Sequence, residues 1–326
     1  MFQIPSINLL LDDLADFKPF EPFEGESDAA PRALPPGVDP LNVMGINTNK
    51  ELNEKNHYTS DYVTNQLVVR RGQQFVIDVT FNRPLTPDDD FQLEFLIEAK
   101  CRQRQETPGS DPIPNKDSLV VVTFGNRPGG SWAGQILGSQ GAAVSLGITP
   151  HAGAIVGLYR TYVAVSVGNG MQRTSKDPST NLYVLFNPWC KEYVLNSTGI
   201  IYQGTSEKIT ERGWVYGQFE AGVLDACIYI LDVCRMAIPS RGDVIKVLRT
   251  ASAMINSQDD NGVLVGNWGV DFSMGVAPTS WTGSAKILLQ YHNTGAPVSF
   301  AQCWVYAGVL NTCKTINKNH TCEKYV

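Results

Sequence analysis

Apolar and polar residues alternate with a period of two through Leu67-Val68-Val69-Arg70-Arg71-Gly72-Gln73-Gln74-Phe75-Val76-Ile77-Asp78-Val79-Thr80-Phe81, giving two runs around a glycine turn. The same alternation predicts strands over Phe91–Glu98, Ser118–Phe124, Ala142–Ile148, Ile155–Val167 and Leu182–Phe186. Turn-rich stretches such as Pro108-Gly109-Ser110-Asp111 and Pro128-Gly129-Gly130 separate them, so residues 42–188 read as an antiparallel sandwich. No chemistry is legible there, and Asp88-Asp89-Asp90 reads as a solvated turn. After Asn187-Pro188-Trp189-Cys190 the period lengthens. Phe219, Val223, Leu224, Cys227, Ile228, Ile230 and Leu231 share helical spacing within 218–232, and Val244, Val247, Leu248 and Ala251 repeat it within 243–253. A third helix is expected to start just before Cys303. Helices on a mixed scaffold make 189–326 the beginning of an α+β domain.

Residues 1–41 differ from both. Seven prolines interrupt them, and residues 1–40 hold eight acids against Lys18 and Arg32, while the rest of the chain is balanced within a net charge of −6. They read as a disordered acidic arm, with one short helix capped by Ser6 and faced by Ile7, Leu10, Leu11 and Leu14. There is no basic stripe, which argues against nucleic acid. No apolar run is long enough to cross a membrane, and the N-terminus has no signal-peptide pattern. Seven scattered cysteines without a Cys-x-x-Cys pair read as reduced thiols in a cytoplasmic setting.

The candidate chemistry lies in Phe300-Ala301-Gln302-Cys303-Trp304-Val305-Tyr306-Ala307-Gly308-Val309. A cysteine opening a helix has its thiolate favoured by the dipole and by unpaired amides, which can also donate to an oxyanion. The bland reading is a buried small hydrophobe between aromatics. Only His320 follows Cys303, in a polar tail. Cys313, His320 and Cys322 lack a four-ligand zinc spacing. Arg241-Gly242-Asp243 reads as a turn before a helix, not a displayed adhesion tripeptide.

Gln-Cys-Trp-Val-Tyr-Ala-Gly resembles the active-site signature of the transglutaminases. Arg212-Gly213-Trp214-Val215-Tyr216-Gly217-Gln218-Phe219, Val223-Leu224-Asp225-Ala226-Cys227, Ser252-Ala253-Met254-Ile255-Asn256, Asp259-Asp260-Asn261-Gly262-Val263-Leu264, Gly266-Asn267-Trp268 and Ser280-Trp281-Thr282-Gly283-Ser284 also match, in order. So do Leu67 to Gln73 and Leu185 to Cys190. The likeness runs from about residue 57 to Thr312 and is nearest in character to the keratinocyte and fibrin-stabilising types.

The resemblance implies an immunoglobulin-like sandwich followed by a papain-like core, here incomplete. It implies a protein-glutamine γ-glutamyltransferase joining protein glutamine to protein lysine through a thioester, with Cys303 as nucleophile and Trp268 donating its N–H to the oxyanion. Trp281 and Trp304 fall to core or tunnel wall. It also implies calcium, held by oxygens at Ala253, Asn256, Gln258, Asp260 and Asn261. Gln258 departs from a commoner asparagine, and the stretch is not an EF-hand, since Asn261 and Asn267 stand where that motif needs Gly and Glu. The family's base and its aspartate lie well beyond the nucleophile. This chain is therefore expected to be an N-terminal portion, inactive or nearly so by itself.

Three departures accompany the likeness. Phe300-Ala301 stands for Tyr-Gly, with a methyl expected near the nucleophile. An acidic segment after Cys190 is missing, and the tail from about 313 diverges. The rival readings are a non-catalytic structural or regulatory binding protein of the same family and a papain-like protease, which lacks the sandwich. The oligomeric state stays open, a homodimer included.

Overall fold

The computed structural model describes residues 39–97, 118–124, 130–167, 170–186, 196–205 and 207–316. The acidic arm before residue 39, Asn187 to Cys190 and the tail from residue 317, with His320 and Cys322, lie outside the described residues.

In chain order the first half comprises β1 (Val43–Asn47), α1 (Lys50–His57), β2 (Leu67–Arg70), β3 (Phe75–Phe81), β4 (Phe91–Ile97), β5 (Leu119–Thr123), β6 (Ala133–Gln140), β7 (Ala143–Thr149), β8 (Gly157–Val167), β9 (Gly170–Arg173) and β10 (Leu182–Leu185). One sheet runs β1-β3-β7-β6 and the other β2-β10-β8-β4-β5, with β9 on β8. The β10–β2 pair is parallel. The strands predicted by alternation are all present, because their inward positions fill one core. Phe75, Ile77, Val79 and Phe81 of β3 face Phe91, Leu93, Phe95 and Ile97 of β4 across the sandwich, and Trp132 packs, tilted, against both Phe95 and Tyr159. Each such side chain, fully buried, contributes about 1.5–3 kcal/mol. The run at 88–90 corrects one expectation. Asp89 is not simply solvated, because its carboxylate pairs with Arg83 at 2.6 Å and accepts from the Thr86 N–H at 2.7 Å.

β2 and β10 are buried on both faces. Leu67, Val69, Leu182 and Val184 point into the sandwich, whereas Val68, Tyr183 and Leu185 belong to a second core. An edge strand also leaves unpaired backbone, and α1 with the residues just after it supplies the partners for β2. Val68 N–H donates to Glu54 Oε1, Thr59 Oγ1 donates to Val68 O at 2.6 Å, and Arg70 N–H donates to His57 Nδ1 at 2.9 Å.

The second half contains the hairpin β11 (Thr198–Gly204) and β12 (Ile209–Val215), then α2 (Val223–Val233), α3 (Val244–Met254), α4 (Ser257–Asp260), β13 (Leu264–Gly266), α5 (Ala285–Thr294), β14 (Val298–Ala301) and α6 (Cys303–Ile316). Helical spacing placed α2 and α3 correctly, and Asp243 caps α3 by accepting from Ile245 and Lys246 N–H. Arg241 is fully buried and pairs with Asp232 at 2.6 Å, so the Arg-Gly-Asp run is structural. The second core gathers α2, α5, β13, β14 and α6 against Val68, Leu158, Tyr183 and Leu185 of the sandwich. α6 lies close to β12, since a Cβ on Gly308 would meet the Trp214 indole at 2.3 Å. The divergence from about 313 does not end this helix, and Thr312 and Cys313 are buried in it. Among the described residues no helix is long and apolar enough to cross a membrane.

Candidate active site

β13 and β14 are short parallel strands, paired Leu264 with Val298, Val265 with Ser299 and Gly266 with Ala301. Two residues past the last pair, on neighbouring strands leaving in the same direction, come Trp268 and Cys303. The exits are clasped twice. Asn267 N–H donates to Ala301 O at 3.0 Å, and Gln302 Nε2 donates to Asn267 O at 2.9 Å. Strand pairing thus sets side by side two chain segments whose residues lie 35 positions apart in the sequence.

Cys303 is the first residue of α6 and is exposed, so the buried-hydrophobe reading fails. Its sulfur sits at the positive end of a helix of 14 residues. Among the described residues no side chain hydrogen-bonds this thiol. Trp268 is 68% exposed, and its ring lies against Gly266, whose absent Cβ would fall 2.5 Å from the ring. No acceptor takes the Trp268 N–H among the described residues. Trp281 is buried, donating to Phe300 O at 2.9 Å, and Trp304 carries the Arg212 guanidinium over its ring at 5.3 Å. Ala301 is fully buried among Val298, Val305 and Val309, so its methyl turns into the core.

The five oxygen-bearing positions run from the last turn of α3 through α4 to the bend before β13. Asn256 N–H donates to Ala253 O at 3.1 Å, and Asn256 Oδ1 caps α4 by accepting from Gln258 N–H at 3.2 Å. Asn261 adopts a left-handed conformation at φ 54°, and its carbonyl accepts from Tyr291 Oη at 3.0 Å. Gly262 closes the turn, where a Cβ would meet Met254 O at 2.2 Å. Hard oxygens of this kind suit calcium. Gln258 is exposed, and the Asp260 side chain lies outside the described residues. No group of three or more His, Cys, Asp or Glu side chains is placed to hold a metal among the described residues. Of the cysteines and histidine weighed for zinc, Cys313 is the described one, and it is buried against Cys227.

Sequence reasoning missed Gln302 as part of this arrangement. Its clasp depends on which strands pair, which no local pattern reveals.

The family model described as "Transglutaminase family" matches residues 44–166. Coagulation factor XIII A chain from Homo sapiens is 42% identical over 290 residues, which is 83% of this chain and 38% of that protein. Protein-glutamine gamma-glutamyltransferase K from Homo sapiens is 40% identical over 280 residues, 82% of this chain and 33% of that protein. The crystal structure of red sea bream transglutaminase superposes with a TM-score of 0.71 at 32% identity, covering 84% of this chain and 42% of that one. The chain therefore spans well under half the length of these relatives.

Proposed function

Because the chain belongs to the transglutaminase family, we propose that it carries the acyl-accepting part of a protein-glutamine γ-glutamyltransferase site. Its first half is the family's immunoglobulin-like sandwich, and its second, from near residue 189, the first part of a papain-like core. The observation that supports this reading is the Gly266–Ala301 pairing, which sends Trp268 and Cys303 out side by side with both side chains accessible.

The Cys303 thiolate attacks the carboxamide carbon of a protein glutamine. The oxygen gains charge as the carbon becomes tetrahedral, and the Trp268 N–H, with no competing acceptor function, donates to it alongside the first amides of α6. Ammonia leaves, a thioester remains on Cys303, and a lysine amine of a second protein resolves it. Each step needs a proton carrier. In the family this is a histidine further along the chain than the positions matched here, and these 326 residues assayed by themselves are expected to turn over negligibly.

Ala253, Asn256, Gln258, Asp260 and Asn261 would hold calcium, which would supply charge and rigidity to the segment that leads into β13. The chain's own residues already shape that segment through the Asn256 cap and the Asn261 left-handed bend. Titration calorimetry with calcium tests it, with Asp260→Asn expected to abolish the heat.

The function is tested by two measurements on the same chain. Iodoacetamide under native conditions should label Cys303 before Cys227, Cys234 and Cys313. Incorporation of a labelled amine into a glutamine-bearing protein, with calcium, should stay at background. Failure of Cys303 to label would sink the nucleophile assignment. Robust incorporation lost in Cys303→Ala would instead overturn the proposed lack of turnover.

A further inference from the structure

Two thiols meet where α2 packs against α6. Cys227 Sγ lies 3.5 Å from Cys313 Sγ, 86 residues apart in the chain, and each residue is 1% exposed within the core that includes Val223 and Val309. A disulfide has an S–S length near 2.05 Å, so bonding requires the two sulfurs to close by about 1.5 Å. Among the described residues, Cys303 is poorly placed as an alternative partner. Cys303 precedes Cys313 by ten residues on the same helix, roughly 15 Å away at 1.5 Å per residue, well beyond disulfide reach.

We propose that Cys227 and Cys313 form a latent dithiol, a modification site for hydrogen peroxide, whose oxidation staples α6 to α2 and so fixes the helix that Cys303 opens. One sulfur attacks the peroxide O–O bond, giving up its proton and becoming a sulfenic acid while one water leaves. The second thiol then attacks the sulfenic sulfur. The S–O bond breaks, and the hydroxyl departs with that thiol's proton as a second water. Two S–H bonds are lost, one S–S bond is gained, and the peroxide takes up the two electrons.

The site is quiet at rest. The hydrogen bond that the Cys227 thiol donates to Cys313 and its burial both push that thiol up, so it is protonated and slow to react. Oxidation therefore follows local opening of the helix pair, and a small neutral oxidant has access where a bulky disulfide does not. The bond closes a long loop, which constrains the unfolded chain.

The test uses the 326-residue chain with Cys303→Ser, which removes the exposed thiol. After hydrogen peroxide, the protein is denatured, alkylated, digested without reductant and mapped by mass spectrometry. The expected result is one cross-linked peptide pair containing Cys227 and Cys313, lighter than its parts by two hydrogens. Thermal melting should rise by about 5 °C, reversed by dithiothreitol. Adding Cys313→Ser should remove both effects; if that variant does not fold, the peptide map of its parent decides. Recovery of Cys227 and Cys313 as alkylated thiols or sulfinic acids, or pairing of either with another cysteine, overturns the proposal.

Discussion

The side-chain amide of Gln302 donates to the main-chain oxygen of Asn267 at 2.9 Å. It ties the residue before Cys303 to the residue before Trp268. With the Asn267 N–H already on Ala301 O, the clasp holds the Trp268 segment by two bonds instead of one. Gln302→Ala should leave the backbone bond and lose the other, at a cost of about 1 kcal/mol. Amide hydrogen exchange across 267–276 should quicken several-fold while that of α2 and α5 stays unchanged. Equal exchange in both proteins would show that Gln302 holds nothing.

His57 makes stability depend on pH. Because Arg70 N–H donates to its Nδ1, Nε2 carries the proton and donates to Gln74 O at 3.0 Å. Burial, reinforced by the charge on Arg70, depresses its pKa to about 4. The unfolded chain binds this proton near pH 6.5, so between those values it holds more protons than the folded one. Stability is full above 6.5 and falls as pH drops towards 4, by about 3 kcal/mol in all. Burial raises the neighbouring Glu54 carboxyl, which gives an opposing slope. Comparison with His57→Gln isolates the histidine. Urea denaturation from pH 7 to 4.5 should show the parent losing more stability than the variant, and parallel curves would refute the assignment.

The same helix shows what the sequence could and could not disclose. The strands of the sandwich were legible because Phe75 to Phe81 and Phe91 to Ile97 alternate against a core, and α2 and α3 because each has one apolar stripe. α1 was not, since its buried positions are Asn53, Glu54 and His57, polar groups that satisfy a strand edge and leave no hydrophobic period. β1 and β6 are short or largely exposed edge strands, with little apolar signal to read. At the site, Cys303 and Trp268 were named through a resemblance. Their juxtaposition rests on the β13–β14 register, a long-range pairing of three- and four-residue strands that carries no periodicity of its own.

Arg71 couples the two halves. Its Nη1 donates to Ala154 O at 2.7 Å in the sandwich and to Gly242 O at 2.9 Å just before α3, and its guanidinium covers the Phe186 ring at 4.4 Å. Arg71→Met keeps much of the volume but strands two carbonyls, and should cost about 2–4 kcal/mol in urea denaturation. Arg71→Lys should recover less than half of that, because a compact ammonium cannot bridge both oxygens and lie flat on the ring. Full recovery by lysine would mean that charge alone matters here.

Gly266 is required by the tryptophan two residues on. Nothing in its backbone demands glycine, yet an added Cβ would fall 2.5 Å from Trp268 Cζ3 and 2.7 Å from Cη2. Something must move, and the exposed indole is freer to do so than the paired strand. Gly266→Ala should therefore swing Trp268 into solvent, at less than the 1–3 kcal/mol typical of overpacking a closed core. The chain has six tryptophans, so the emission change is read against a Trp268→Phe background. Gly266→Ala should red-shift the spectrum when Trp268 is present and leave it unaltered when it is phenylalanine. Native alkylation of Cys303 should change by less than about twofold, because α6 still begins after the Ala301 pairing, whose backbone bonds each contribute about 1 kcal/mol. A red shift of equal size in both backgrounds would place the strain elsewhere, and would remove Trp268 from the surface proposed to face the reacting oxygen.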